Sequence, residues 1–215
     1  MKTIIFTLLV IVLVATSLWY MKSHRSVKAV STMSTYRNTE TGISFTYPKT
    51  LIAKTLTDSN NTAIIHHEIP FVHKDYCDFK GDGTGTIPTL ADFNVRMHVD
   101  NLDLISAIKK ESPYIPAENF VNNQVIPSPG FIDPVTHGKL SGFKIYEGAE
   151  GCRHIIYYFA ATNNKTLVVV DDVVTIFTGA IDANEGTRAL TVPGVISKQT
   201  HDSIFDSILK TVSVQ

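Results

Sequence analysis

Residues 36–215 are expected to fold as an α+β sandwich on a central, mainly antiparallel sheet, behind one N-terminal transmembrane helix. Three patterns lead there. An uncharged apolar run, Ile4–Met21, opens the chain. Two almost wholly apolar segments, 155–160 and 167–170, flank an Asn-rich turn. Two amphipathic helical stripes stand at separate points among strand-like segments, as when helices pack on hairpin-linked strands.

The 18 residues of Ile4–Met21 form a helix of roughly 27 Å, about one bilayer core. Trp19 and Tyr20 fall at its edge, where aromatic residues favour the interface, and Lys22 and Arg25 follow. No polar face exists, so a soluble amphipathic helix is excluded. The rival is a signal peptide cleaved near Ser17, because Ala15-Thr16-Ser17 has small residues in a cleavage-like pattern. The stretch stays apolar to Met21, which favours an uncleaved anchor over 1–21. No cysteine follows closely, which excludes a lipid-modified N-terminal cysteine. Residues 22–35 read as a polar, basic tether whose charge suits anionic lipid. Lys22, Arg25 and Lys28 by themselves lean toward a cytoplasmic body. A first and only apolar segment acts instead as an export signal, and an extracytoplasmic body is the expectation.

The body is treated as one domain, 36–215, long enough for a sizeable core. Ile43–Tyr47 alternates and stops at Pro48; 63–71 is an apolar run closing near Pro70. Phe93, Val95, Met97 and Val99 share one face of the next strand. Asn101 is placed as the cap of a helix over 102–111 with Leu104, Ile105 and Ile108 on one stripe. Phe143–Tyr146 is a short strand. The segments 155–160 and 167–170 form a hairpin, because Asn163 and Asn164 tolerate left-handed backbone. Apolar on both faces, these strands belong at the centre of a covered sheet. Asp171-Asp172 is expected to mark a bulge or break, with strand resuming over 173–177. Ser197 caps a last helix over 198–211, with Ile204, Phe205, Ile208, Leu209 and Val212 on the buried face and His201 on the same side. The long aperiodic stretches 72–90 and 111–135 are the expected contact surfaces for a partner.

Charge narrows the function. Of 19 basic and 20 acidic residues, four basic and no acidic ones fall in residues 1–30. The remainder is therefore mildly acidic, which argues against nucleic acid as a partner. Neither G-x-S-x-G, H-E-x-x-H nor a Walker-type phosphate loop occurs. No catalytic residue and no cofactor is assigned. His66, His67, His73, Asp75, Cys77 and Asp78 crowd one segment with metal-ligand types. His66 and His67 point to opposite faces of a strand, so only one can join a cluster. The weak metal candidates are His66, His73, Asp75, Asp78 and Asp82. Counted from Asp78 as a calcium loop, Lys80 falls at position 3 and Thr89 at position 12, where oxygen ligands are required. A plain turn around Asp82-Gly83 explains this stretch better.

Tyr36-x-Asn38-x-x-x-Gly42-Ile43-Ser44-Phe45-x-Tyr47-Pro48 resembles the opening motif of PsbP-like domains, relatives of the extrinsic P subunit of photosystem II. Phe205-x-x-Ile208-Leu209-x-Thr211-x-Ser213 resembles that family's closing helix and final strand. Lys49-Thr50-Leu51 stand where the family usually carries a Trp. The resemblance implies an αβα sandwich acting as a non-enzymatic accessory or protein-binding subunit, and it transfers no functional residue. A metal-dependent hydrolase and a structural envelope or adhesion domain are the alternatives.

Cys77 and Cys152 are the only cysteines. In an exported body they are expected to pair, closing a loop of about 75 residues for about 3–4 kcal/mol. The intact oxidised mass should lie about 2 Da below the reduced mass; equal masses would exclude the pairing.

Overall fold

Among the described residues, strand pairing begins at Met33. The computed structural model describes residues 33–57, 60–75, 85–149, 152–178 and 183–215. The apolar run Ile4–Met21 and most of the tether lie outside these; Met33, Ser34 and Thr35, placed in the tether by sequence, belong to the first strand. Among the described residues no helix is long and apolar enough to cross a membrane.

Three strands make a small antiparallel sheet: β1 (Met33–Arg37), β2 (Ile43–Pro48) and β12 (Ser213–Val214), in the order β1-β2-β12. The large sheet contains β3 (Ile52–Thr55), β4 (Ala63–Lys74), β5 (Thr86–Asp100), β8 (Ile132–His137), β9 (Leu140–Ala149), β10 (Cys152–Ala160) and β11 (Thr166–Val173). Its order is β3-β4-β5-β11-β10-β9-β8 and every pairing is antiparallel. A two-stranded ribbon, β6 (Phe120–Val121) and β7 (Gln124–Val125), stands apart. Among the described residues the α-helices are α1 (Leu104–Glu111), α2 (Ala183–Ala189) and α3 (Lys198–Leu209). This is an α+β fold with a mainly antiparallel sheet, as expected.

The expected hairpin is β10–β11. Asn163 and Asn164 both take positive φ, 61° and 55°, and Ala160 pairs with Thr166 across the turn. β11 lies centrally, between β5 and β10. Its Leu167 and Val169 face one core with Phe93, Val95, Met97, Tyr157, Phe159 and, from α3, Phe205, Ile208 and Leu209. Its Val168 faces a second core with Ile156, Tyr158, Ile145, Ile132 and, from α1, Ala107 and Ile108. α1 and α3 therefore pack on opposite faces of the sheet. A satellite cluster joins Ile69, Phe71 and Leu90 to Ile176 and Ala189.

Five local expectations are corrected. β4 runs through Pro70 to Lys74, because β3 pairs only with Ala63–His66 and leaves the outer side of β4 unpaired where Pro70 lacks its N–H. The cap of α1 is Asp103, not Asn101: its carboxylate accepts the amides of Ile105 and Ser106 at 3.0 and 3.1 Å. Asp171 and Asp172 do not break β11, since each finds partners on its own face of a continuous strand. Residues 175–177 form a 3₁₀ turn rather than resumed strand. Within 72–90 and 111–135, residues 72–74, 86–90, 120–121, 124–125 and 132–135 are strand.

The two motifs that resemble the PsbP-like family meet in space. Ser44 pairs with Ser213, and their hydroxyls lie 2.9 Å apart. Gly42, at φ 75°, leaves room for the last residue, whose carbonyl oxygen a Cβ would approach to 2.6 Å.

A Cβ on Gly142 would press into the backbone carbonyl of Tyr158. Gly142→Ala is expected to lower unfolding free energy by about 3 kcal/mol, read by urea titration. A loss below about 0.5 kcal/mol would show that β9 and β10 are not packed this closely.

Candidate functional site

A cleft of about 560 Å³ lies where the ends of β9, β10 and β11 meet the first turns of α3. Asp171 lines it from β11, one alternation beyond Leu167 and Val169, on the α3 face. His201 lines it from α3, one turn before Phe205 on the buried stripe. Its ring packs 4.6 Å from Phe93 and stacks on Phe205 at 6.3 Å. His201 Nε2 lies 3.1 Å from Asp171 Oδ1, an ion-pair contact without hydrogen-bond alignment. His201 Nδ1 lies 3.5 Å from Asp202 Oδ1. The Asp171 and His201 side chains are each 9% exposed.

Burial pushes the Asp171 carboxyl up from its ordinary range, and the neighbouring His201 offsets only part of this. Burial works the other way on His201, but Asp171 and then Asp202 outweigh it, so its imidazolium persists above the ordinary value. A carboxylate lies at each ring nitrogen of His201, Asp171 at Nε2 and Asp202 at Nδ1. The arrangement can clamp α3 to the sheet and hold fixed charge at the cleft wall.

A second buried carboxylate sits beside it. His67 pairs with Phe93 and Glu68 with Ala91, so Asp92 is an extra residue in β5. Such a bulge re-aims its side chain. Asp92 is fully buried and accepts the Ile196 amide at 2.7 Å while contacting His67 Nδ1 at 2.6 Å.

The opposite face of the sheet carries a polar row set by strand register. Glu147, His154 and Asp172 are successive cross-strand neighbours, and Asn94 on β5 is opposite His66 on β4. His154 Nε2 lies 2.9 Å from Glu147 Oε2. Asn94 and Arg96 both donate to Asp172.

Of the residues singled out by sequence, His66 ends this row, half-buried. His67 serves Asp92. His73 is buried with Nδ1 2.6 Å from the Lys74 carbonyl and Nε2 3.1 Å from that of Thr89, so both nitrogens face acceptors. Asp75 is exposed at the end of β4. Asp78, Asp82 and Cys77 lie outside the described residues, and the expected Cys77–Cys152 disulfide with them. His66, His73 and Asp75 are not brought together. The group that converges among the described residues is His98, Asp100 and Glu111. Reading β5 for its apolar face passed over His98-x-Asp100 on the other; the i, i+2 spacing was the available signal.

Comparison with protein-family models finds no match, and comparison with curated proteins finds none either. Among solved structures, the chain is similar to a protein from Bacteroides thetaiotaomicron, at 10% identity and a TM-score of 0.41, over 84% of this chain and 48% of that one. It therefore spans about half of that protein's length. It is also similar to cyanobacterial PsbP (CyanoP) from Synechocystis, at 9% identity and a TM-score of 0.37, over 88% of this chain and 96% of that one.

The folded state binds the His201 proton more tightly than the unfolded chain. That contribution is full below the ordinary imidazole value of 6.5 and is lost as pH rises through the raised one. The thermal-midpoint advantage of wild type over His201→Gln should shrink as pH rises above the ordinary imidazole value of 6.5. A constant or growing advantage would show that the ion pair does not hold α3.

Proposed function

We propose that this chain is a membrane-tethered, extracytoplasmic accessory domain with an αβα arrangement of the PsbP-like type, binding a protein partner without transforming a substrate. The observation that carries the reading is the exposure of Tyr114, Val121 and Ile126 along the connection between α1 and β8. This lies within the stretch whose aperiodic sequence marked it for contact.

The connection has internal support. β6 and β7 are joined through Asn122 and Asn123, both at positive φ, the geometry of a tight hairpin. The Lys109 ammonium lies 4.8 Å from the centre of the Phe120 ring and ties the ribbon to α1. Val121 is thus displayed on an ordered element, which lowers the entropy cost of binding. Single exposed apolar residues are common on any surface; three on one connection suit a contact patch. The tether reading rests on Ile4–Met21 and the basic residues that follow.

Full-length protein should stay in the membrane pellet through carbonate extraction and cross-link to a discrete partner there. Replacing Tyr114, Val121 and Ile126 together by Ser should reduce cross-linking about tenfold or more, with the thermal midpoint preserved. Undiminished cross-linking by a folded triple variant would move the contact surface elsewhere. Absence of any partner would overturn the reading.

A further inference from the structure

His98 and Asp100 stand two residues apart on β5 and so share a face. That face is the one α1 covers, because His98 pairs with Val168 of the second core. α1 folds back over the sheet until Ser112, just past its end, reaches the Tyr158 hydroxyl at 2.8 Å. Glu111, its last residue, is thereby set down over the two β5 side chains. One ligand-type atom from each of His98, Asp100 and Glu111 lies within 4.8 Å of the others. His98 is 7% exposed.

The acids already hold a cation. Lys110 Nζ lies 2.8 Å from Asp100 Oδ1 and 2.9 Å from Glu111 Oε1. One ammonium does not satisfy the group: the Asp100 side chain is 8% exposed and its Oδ2 has no hydrogen-bond partner. A buried carboxylate oxygen without a partner is costly. The negative end of the α1 dipole points at the same place and favours positive charge there. We propose that His98, Asp100 and Glu111 bind a divalent first-row transition cation, with Lys110 as the resident counter-ion that the metal displaces.

One imidazole nitrogen with two carboxylates suits zinc, cobalt or manganese better than calcium, which prefers all-oxygen shells. Bonds of about 2.1 Å need ligand atoms slightly over 3 Å apart, so loading draws the three side chains together and turns the Lys110 side chain out to water. The Lys110 side chain is 48% exposed and has room to leave. Asp100 Oδ2 then gains the partner it lacks. Water completes the shell.

The test uses full-length protein in detergent, stripped with chelator and titrated with Co²⁺ by visible absorption and with Zn²⁺ by calorimetry. Binding should saturate at a single equivalent, with a Co²⁺ spectrum free of a thiolate charge-transfer band. His98→Ala should weaken binding about tenfold or more. Lys110→Met removes the competing ammonium and should tighten binding about fivefold. A merely structural role for the three residues would not produce this gain, and it is readable even if His98→Ala fails to fold. Failure to saturate, a thiolate band, or affinity unchanged or weakened in Lys110→Met would each overturn the proposal.

Discussion

Burial of β11 on both faces is the constraint on which the other arrangements depend. Leu167, Val168 and Val169 are each almost wholly removed from water, alternating between the two cores. Full burial of one such side chain contributes about 1.5–3 kcal/mol. A strand of this kind must be flanked on both edges and covered on both faces, which requires β5 and β10 beside it and a helix on each side. A one-residue slip would exchange the two cores and set Asp171 among aliphatic residues.

Polar residues near this strand follow from the same alternation. Beyond the apolar segment, Asp171 continues the α3 face and Asp172 the other. Asp171 meets His201, and Asp172 meets Asn94 and Arg96. Pairing a buried carboxylate rarely returns its whole desolvation cost. What the pair adds is position: α3 can dock with its stripe against Phe93 and Tyr157 only where His201 reaches Asp171. Asp92 performs a comparable task at the start of α3, where its bulge turns a carboxylate toward the Ile196 amide.

The same face of β5 that supports α1 brings His98 and Asp100 to the end of that helix. A fold can thus create a ligand set without any sequence motif, because the third member arrives by helix packing. Within the segment densest in ligand-type residues, the described His67 and His73 meet different demands. His67 is needed by Asp92, and the two nitrogens of His73 face carbonyls that require hydrogen-bond donors.

The chain by itself determined what local periodicity encodes. The β10–β11 hairpin, the Ser197 cap, the buried stripe of α3 and the apolar face of β5 were legible because each is set by neighbours a few residues apart. Element ends were less legible. Asp103 and Asn101 are both good caps, and Pro70 is tolerated only because β3 ends before reaching it. α2 carries too few apolar residues to announce itself. Tertiary structure alone decided strand order, the meeting of the opening and closing motifs at Ser44 and Ser213, and every polar cluster. The pairs His201–Asp171 and Ser44–Ser213 join residues 30 and 169 positions apart, and no local pattern records which distant partner a buried charge will find.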